Sequence, residues 1–291
     1  MHPLILLDRL RRSFLSDARH AQLLFLGGFL SYGWFALDWH TDWARYGMTL
    51  AAALGTQALG MAITRQPVSS LKSALITGLG LCLLLKTGQP WVAGLAAGIA
   101  IGSKFLIRYR GKHLFNPANL GVVATVLPGL AWVSPGQWGS GPVLIFLIGG
   151  AGLLVLTCAS RLDTAGAFLG TYAGLMALWQ VGYLGWPWDH WLHSLSGGAL
   201  LLFAFFMITD PMTTPNARLP RMGWAAAIAV VACYLQVRHY VQAAPILVLS
   251  VFSILVPLLD RYWPASRFDW TTRSLQPNHT LPPVSTFSPT A

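Results

Sequence analysis

Apolar runs alternate with short polar connections along most of this chain. Runs near 20–37, 44–63, 71–86, 90–108, 118–133, 141–159, 164–184, 194–209, 222–239 and 243–260 are close to the roughly 20 residues that a helix needs to cross a bilayer, and they predict ten helices. The predicted class is an all-α integral membrane protein. Two polar motifs interrupt the apolar pattern: Phe115-Asn116-Pro117-Ala118-Asn119-Leu120-Gly121 and Ile208-Thr209-Asp210-Pro211-Met212-Thr213-Thr214-Pro215. At membrane depth such breaks are tolerated only where the backbone is buried in protein or lines a cavity. They therefore mark a candidate site.

Ten helices invite division into two halves of five, about 20–133 and about 141–261. The third helix of each half is short and marked by glycine. Ile76-Thr77-Gly78-Leu79-Gly80 leads to Lys86-Thr87-Gly88-Gln89-Pro90, and Ser196-Gly197-Gly198 leads to Thr209-Asp210-Pro211. The connections before the fifth and tenth helices also echo each other, His113 to Ala118 against His239 to Ala244. Matched connections fall on opposite faces, as an inverted repeat requires. In such repeats, short interrupted helices at corresponding positions point to a midplane site. The expected organisation is a basic N-terminal segment (1–19), a ten-helix membrane domain (20–261) and a tail (262–291). The tail is rich in Ser, Thr and Pro, lacks a periodic apolar face, and is expected to be disordered.

Composition supports the membrane assignment. Of the 291 residues, 55% are hydrophobic and 10% charged, and glutamate is absent; soluble domains carry about 25% charged residues. The start of the chain is basic and polar, with the first long apolar run beginning at Ala21, so no cleavable signal is expected. With both termini cytoplasmic, 16 of the 19 basic residues lie on one side, and only Arg45, Lys86 and Arg238 on the other. That asymmetry is what the positive-inside rule predicts for a correct count. The formal charge of +10 is accordingly read as contact with lipid head groups and not nucleic acid. Trp34, Trp39, Trp43, Trp132, Trp138, Trp186, Trp188 and Trp191 fall in or beside the outer connections, as an interfacial belt. Cys82, Cys158 and Cys233 lie inside apolar runs without paired spacing and read as small core residues.

The two motifs carry the candidate chemistry. Asn116 and Asn119 offer amides that donate and accept but do not titrate, and Pro117 locks the backbone between them and favours an extended Asn116. Neutral two-way edges suit a planar polar ring such as an isoalloxazine or a quinone. The alternative is that Asn-Pro-Ala-Asn only caps the fifth helix. Asp210, with Thr209, Thr213 and Thr214, could hydrogen-bond a ligand, bind a cation or stabilise a helix end. A bare carboxylate at depth is costly, and Arg218 and Arg221 are near in sequence. The alternative here is an interfacial turn tied to those arginines. His190 and His193 stand at i, i+3 in an outer connection with no matching histidines on facing helices, so haem is not expected. No metal-ligand cluster, hydrolytic triad or phosphate loop is evident. All nine acids are aspartates, and apart from Asp210 they lie at or beyond the ends of the predicted spans, so the chain alone is not expected to pump ions.

The stretch from His193-Ser194-Leu195-Ser196-Gly197-Gly198 through Phe205-Phe206-Met207-Ile208-Thr209-Asp210-Pro211 resembles the signature of the D-type membrane component of the bacterial Rnf electron-transport complex. It is similar also to the B-type component of the sodium-translocating NADH:quinone reductase. The Phe115-Asn116-Pro117-Ala118 turn and Val256-Pro257-Leu258-Leu259-Asp260 fit the same family, so the likeness covers about residues 70–262. It implies ten helices in two inverted halves, a bacterial inner-membrane location, partner electron-transport subunits or flavoproteins, and bound flavin: an FMN esterified to a threonine on the outer side and commonly a non-covalent riboflavin. Carried over by position, Asn116, Pro117 and Asn119 are flavin contacts, and Ser196, Asp210, Thr213 and Thr214 join them as candidate cofactor ligands. The chain departs from the pattern in its outer connection after the fifth helix, residues 132–141, which holds no threonine. No covalent FMN is therefore expected; Ser134 and Ser140 lack the motif's context. Arg161-Leu162-Asp163-Thr164-Ala165-Gly166 lacks the family's glutamate, and the long N-terminal region of the quinone-reductase component is not expected here. The expected function is a membrane electron-transport subunit holding a non-covalent flavin (riboflavin or FMN) or a quinone. A small-solute transporter or channel on the same scaffold is the alternative.

Overall fold

The computed structural model describes residues 18–39, 42–134, 150 and 161–267, and they are mostly helical. Helix α1 spans Ala18–Ala36, α2 Trp43–Thr64, α3 Leu71–Leu84, α4 Pro90–Leu106 and α5 Pro117–Val126. Helix α6 (Leu162–Ala177) continues through a π-helical stretch, Leu178–Tyr183; α7 is the short Trp188–Leu195; and α8 (Gly198–Leu202) runs into a second π-helical stretch, Phe203–Met207. The chain closes with α9 (Arg218–His239), α10 (Ala244–Ser253) and α11 (Val256–Tyr262). Each predicted run outside 141–159 overlaps one or two of these helices. That sixth run, Cys158, Trp138, Ser140 and most of both terminal segments lie outside the described residues.

Among the described residues, α2 and α9 are each long and apolar enough to cross a membrane, and the count rises to four if the bent pairs α7–α8 (51°) and α10–α11 (48°) are each one span. The second bend has a local cause. Pro257 has no N–H to give the carbonyl of Ser253 and its ring crowds that turn, so α10 stops there and α11 starts in a new direction. The fifth run, predicted over 118–133, is helical only to Val126. Pro128 cannot continue it, and Gly129, at φ +75°, turns the chain in the left-handed region that glycine tolerates. Leu130 and Ala131 then donate back to the Thr125 carbonyl.

The all-α expectation needs one small correction, because two antiparallel ribbons are present. β1 (Leu85–Lys86) pairs with β4 (Trp132–Val133), with Leu85 opposite Val133. β2 (Arg108–Tyr109) and β3 (Lys112–His113) form a hairpin whose two turn residues, Arg110 (φ 46°) and Gly111 (φ 78°), both have positive φ. That is the geometry of a type I′ turn, which matches the twist of two flanking strands.

Packing places α2 along α4 and α9 along α6; α4 also contacts α5, as α9 contacts α10. The buried face of α4 is built from small residues, Ala93, Ala96, Ala97 and Ala100, at helical spacing. Small residues let helices approach closely where packing, not water exclusion, holds them together. At Gly121 of α5 the approach is extreme, since a Cβ there would meet the Ala96 carbonyl oxygen at 2.6 Å. Helices α5 and α10 meet each other, and Asn119 Nδ2 donates to Ser250 Oγ across that contact at 2.6 Å.

Candidate functional site

The two motifs face one another. Asn116 is the N-cap of α5: its backbone is extended, its Oδ1 accepts from Asn119 N at 3.1 Å, and Pro117 occupies the first turn, where its missing N–H costs nothing. Capping uses the carbonyl of that amide. The Nδ2 group points across to α8, where it lies 3.4 Å from both the Met207 carbonyl and Asp210 Oδ2. Both contacts are longer than a well-formed N–H···O bond, so the amide protons are only loosely held. Asp210 anchors a turn in which its Oδ1 accepts from Met212 N at 2.9 Å. It is enclosed by protein yet half-buried, because it faces a cavity. Burial pushes its pKa above the ordinary carboxylate range, and the Met212 N–H opposes that shift. The arginines near it in sequence are engaged elsewhere: Arg221 Nη2 and Arg218 Nε both reach Asp163 at the start of α6.

The cavity, of about 290 Å³, lies among α1, α3, the end of α4, the start of α5 and the end of α8. Its walls change character along α3. At the Gly80 and Leu84 level they are apolar, closed by Leu26, Leu83, Leu202 and Phe206. Gly80 itself leaves room, since a Cβ there would meet only Ala118 Cβ, at 3.8 Å. Toward the start of α3 the lining turns polar, with Ser70, Ser73, Gln57, Lys104, Arg108 and Arg19. Lys104 is buried and donates to Gln57 Oε1 and Ser73 Oγ, each at 3.0 Å.

His113, at the end of β3, also lines the cavity, and its Nδ1 is buried without a hydrogen-bond partner. Burial, with Lys104 and Arg108 nearby, pushes its pKa down to about 4, from about 6.5 for an unperturbed histidine. The unfolded chain therefore binds a proton below about pH 6.5 that the folded chain refuses until about pH 4. Stability from this residue is complete above the higher value and falls on acidification through that window. The unfolding midpoint is expected to drop between pH 7 and pH 4.5, and to drop less in His113→Asn. Thermal scans of both proteins check this; equal pH dependence would contradict it.

Of the residues expected to contact a cofactor, the structure brings Asn116, Pro117 and Asp210 to the cavity, together with Thr209. Asn119 is fully buried and does not line it, being used between α5 and α10. Thr213 and Thr214 are buried in the turn behind Asp210, where Thr213 Oγ1 donates to the Asp210 carbonyl at 3.3 Å. Ser196 sits at the other end of α8, at the end of α7, and donates to the His193 carbonyl at 2.7 Å. Sequence reasoning missed Lys104, His113 and Gln57. In the sequence, Lys104 reads as one of the basic residues that set the charge asymmetry of the spans. Its place two residues before the end of an apolar helix, and the glutamine in the middle of the second run, were the available signals.

Polar ties on the same side hold the motifs in place. Lys112 donates to the Thr214 carbonyl at 2.6 Å, to Asn216 Oδ1 at 3.1 Å and to Asp260 Oδ2 at 2.8 Å. Asp260 Oδ1 accepts from Asn216 N at 2.7 Å. The β2–β3 hairpin, the turn after α8 and the end of α11 are thus joined through one ammonium.

Residues 127–269 match the NQR2, RnfD, RnfE family. The chain is 27% identical to the D-type component of the ion-translocating oxidoreductase complex of Pseudomonas paraeruginosa, over 72% of this chain and 79% of that protein. It is 26% identical to the component of the same name in Halorhodospira halophila, over 83% and 86%, and 27% identical to that of Stutzerimonas stutzeri, over 74% and 81%.

Proposed function

We propose that this chain, a divergent relative of the NQR2, RnfD, RnfE family, is a membrane subunit of an ion-translocating oxidoreductase complex and that its cavity holds a non-covalent flavin. The relatives named above are components of such complexes, which supplies the class of assembly and partner. The observation that carries the flavin is the pairing of Asn116 and Asp210 on an otherwise apolar stretch of wall. A flavin ring presents carbonyl oxygens beside an N–H along one edge. The loosely held Asn116 amide protons are suited to the carbonyls, the Asp210 carboxylate to the N–H, and Leu83 and Phe206 to the ring's apolar body. The bound flavin supplies reversible electron transfer. The chain's own residues orient it, keep water from it and fix the hydrogen bonds at its edge. A quinone has carbonyls but no such N–H to offer Asp210 Oδ2, whose contact with Asn116 is long. With no threonine in residues 132–141, the flavin is proposed to be held without a phosphoester link.

The reading includes ten spans arranged as two inverted halves with both termini cytoplasmic, in a bacterial inner membrane. Three matched features support the repeat. After α3, Gln89 N donates to Thr87 Oγ1 at 2.9 Å; after α8, Met212 N donates to Asp210 Oδ1 at the same i+2 spacing. Buried Gln57 of α2 bonds Ser70 just before α3, and buried Gln180 beyond α6 bonds Ser194 just before α8. Helices α5 and α10, each with a proline in its first turn, meet where a two-fold axis would pass.

Filling the cavity tests the flavin without touching a polar group. Gly80→Leu is expected to lose bound flavin while Gly80→Ala keeps it, because the extra methyl meets only ordinary contact. Flavin content per protein, read from visible absorbance after purification, decides this. Full retention in Gly80→Leu would contradict the placement.

A further inference from the structure

Among the cations described, Lys104 is distinctive. It is buried near the end of α4, and its ammonium is bonded only to two neutral oxygens, of Gln57 and Ser73. The other buried side-chain ammonium, Lys112, has Asp260 against it. An ammonium carries three donors, so one N–H of Lys104 remains for the cavity that it lines. Burying a charge without a counter-charge is costly. Asp210, on the same cavity, makes no ion pair with it: its oxygens are taken up with Met212 and Asn116. Arg108, in β2 just beyond the end of α4, and Arg19 continue the basic lining toward the start of α3, with Ser70 on the same wall.

Position along α3 orders these groups. Gly80 contacts Ala118 at the start of α5, beside Asn116, whereas Ser73 is bonded to Lys104. Seven residues of helix separate the two levels, about 10 Å of rise. The ring-binding edge and the buried cation thus line one cavity at different levels of α3, with room along the wall between them for a ribityl chain. Beyond the ribityl chain, riboflavin ends in a hydroxyl and FMN in a phosphate of charge about −1.5 to −2.

We infer that the Lys104 end of the cavity is a phosphate site and that the flavin held there is the monophosphate, FMN, lying with its ring at Asn116 and Asp210 and its phosphate toward Lys104 and Arg108. This rests on the flavin reading above and goes further, since that reading is met equally by riboflavin. Lys104 supplies a buried positive charge, and Arg108 and Arg19 extend the basic lining.

Acid precipitation of the purified protein, followed by chromatography of the released flavin against FMN and riboflavin standards, tests it. FMN supports the inference. Riboflavin would overturn it and leave the flavin reading intact; an absence of flavin would overturn both. A second measurement uses protein stripped of flavin and titrated separately with FMN and with riboflavin, followed by quenching of flavin fluorescence. Loss of one charged hydrogen bond in Lys104→Gln is expected to weaken FMN by roughly 10- to 100-fold and to leave riboflavin within about twofold, with Lys104→Arg intermediate for FMN. Equal weakening of both flavins in Lys104→Gln would show that Lys104 only supports the wall, and would overturn the phosphate assignment.

Discussion

Asn116→Asp is expected to remove the flavin almost completely while the protein still folds. The substitution keeps a side-chain oxygen at the N-cap of α5, where aspartate and asparagine serve about equally well, so the bond from Asn119 N survives. The two amide protons are lost, and a second carboxylate is placed where Nδ2 now stands, 3.4 Å from Asp210 Oδ2. Like charges at that separation in a sheltered cavity repel strongly, and one of them takes up a proton or turns away. Either response removes the pairing proposed to hold the ring edge. Visible absorbance per protein should fall at least tenfold, with far-UV circular dichroism and the elution volume in detergent unchanged. Asn116→Ala makes a useful contrast, because it also removes the cap and is expected to cost about 1 kcal/mol of stability as well. Flavin retained at the parent level in Asn116→Asp would place the ring elsewhere.

The second large effect is structural. Lys112→Met is expected to destabilise the protein by about 3 kcal/mol, at the low end for breaking a buried ion pair. Its side chain and that of Asp260 are 10% and 16% exposed. The cost arises mainly from what stays behind: an Asp260 carboxylate without its cation, and the Thr214 and Asn216 oxygens without their donor. Adding Asp260→Leu removes the orphaned charge and is expected to restore part of the loss, the signature of a coupled pair in a double-mutant cycle. Thermal or denaturant unfolding in detergent gives the three values. Strict additivity of the two substitutions would contradict the pairing.

The sequence made the helices legible because apolar length is a direct physical demand of the bilayer, and the two polar motifs stood out against it for the same reason. Helix ends were less legible. Pro128 and Pro257 were visible, but whether each proline stops a helix or bends it depends on where the freed carbonyls find partners. Partner choice was the least legible. Arg221 follows Asp210 closely in sequence, yet α9 packs along α6 and delivers Arg221 to Asp163. Asn119 shares a motif with Asn116, but three residues along a helix turn it toward α10 and Ser250. Lys104 carried a signal that pointed two ways: it fits the charge asymmetry of the predicted spans, while its side chain lines the cavity.

The most direct test of a non-covalent flavin is the visible spectrum of the detergent-purified chain before and after acid precipitation. A flavin spectrum whose colour leaves entirely with the supernatant is the expected result. Flavin remaining in the pellet would contradict the non-covalent assignment, and a colourless protein would contradict the flavin itself and favour a solute pathway through the same cavity.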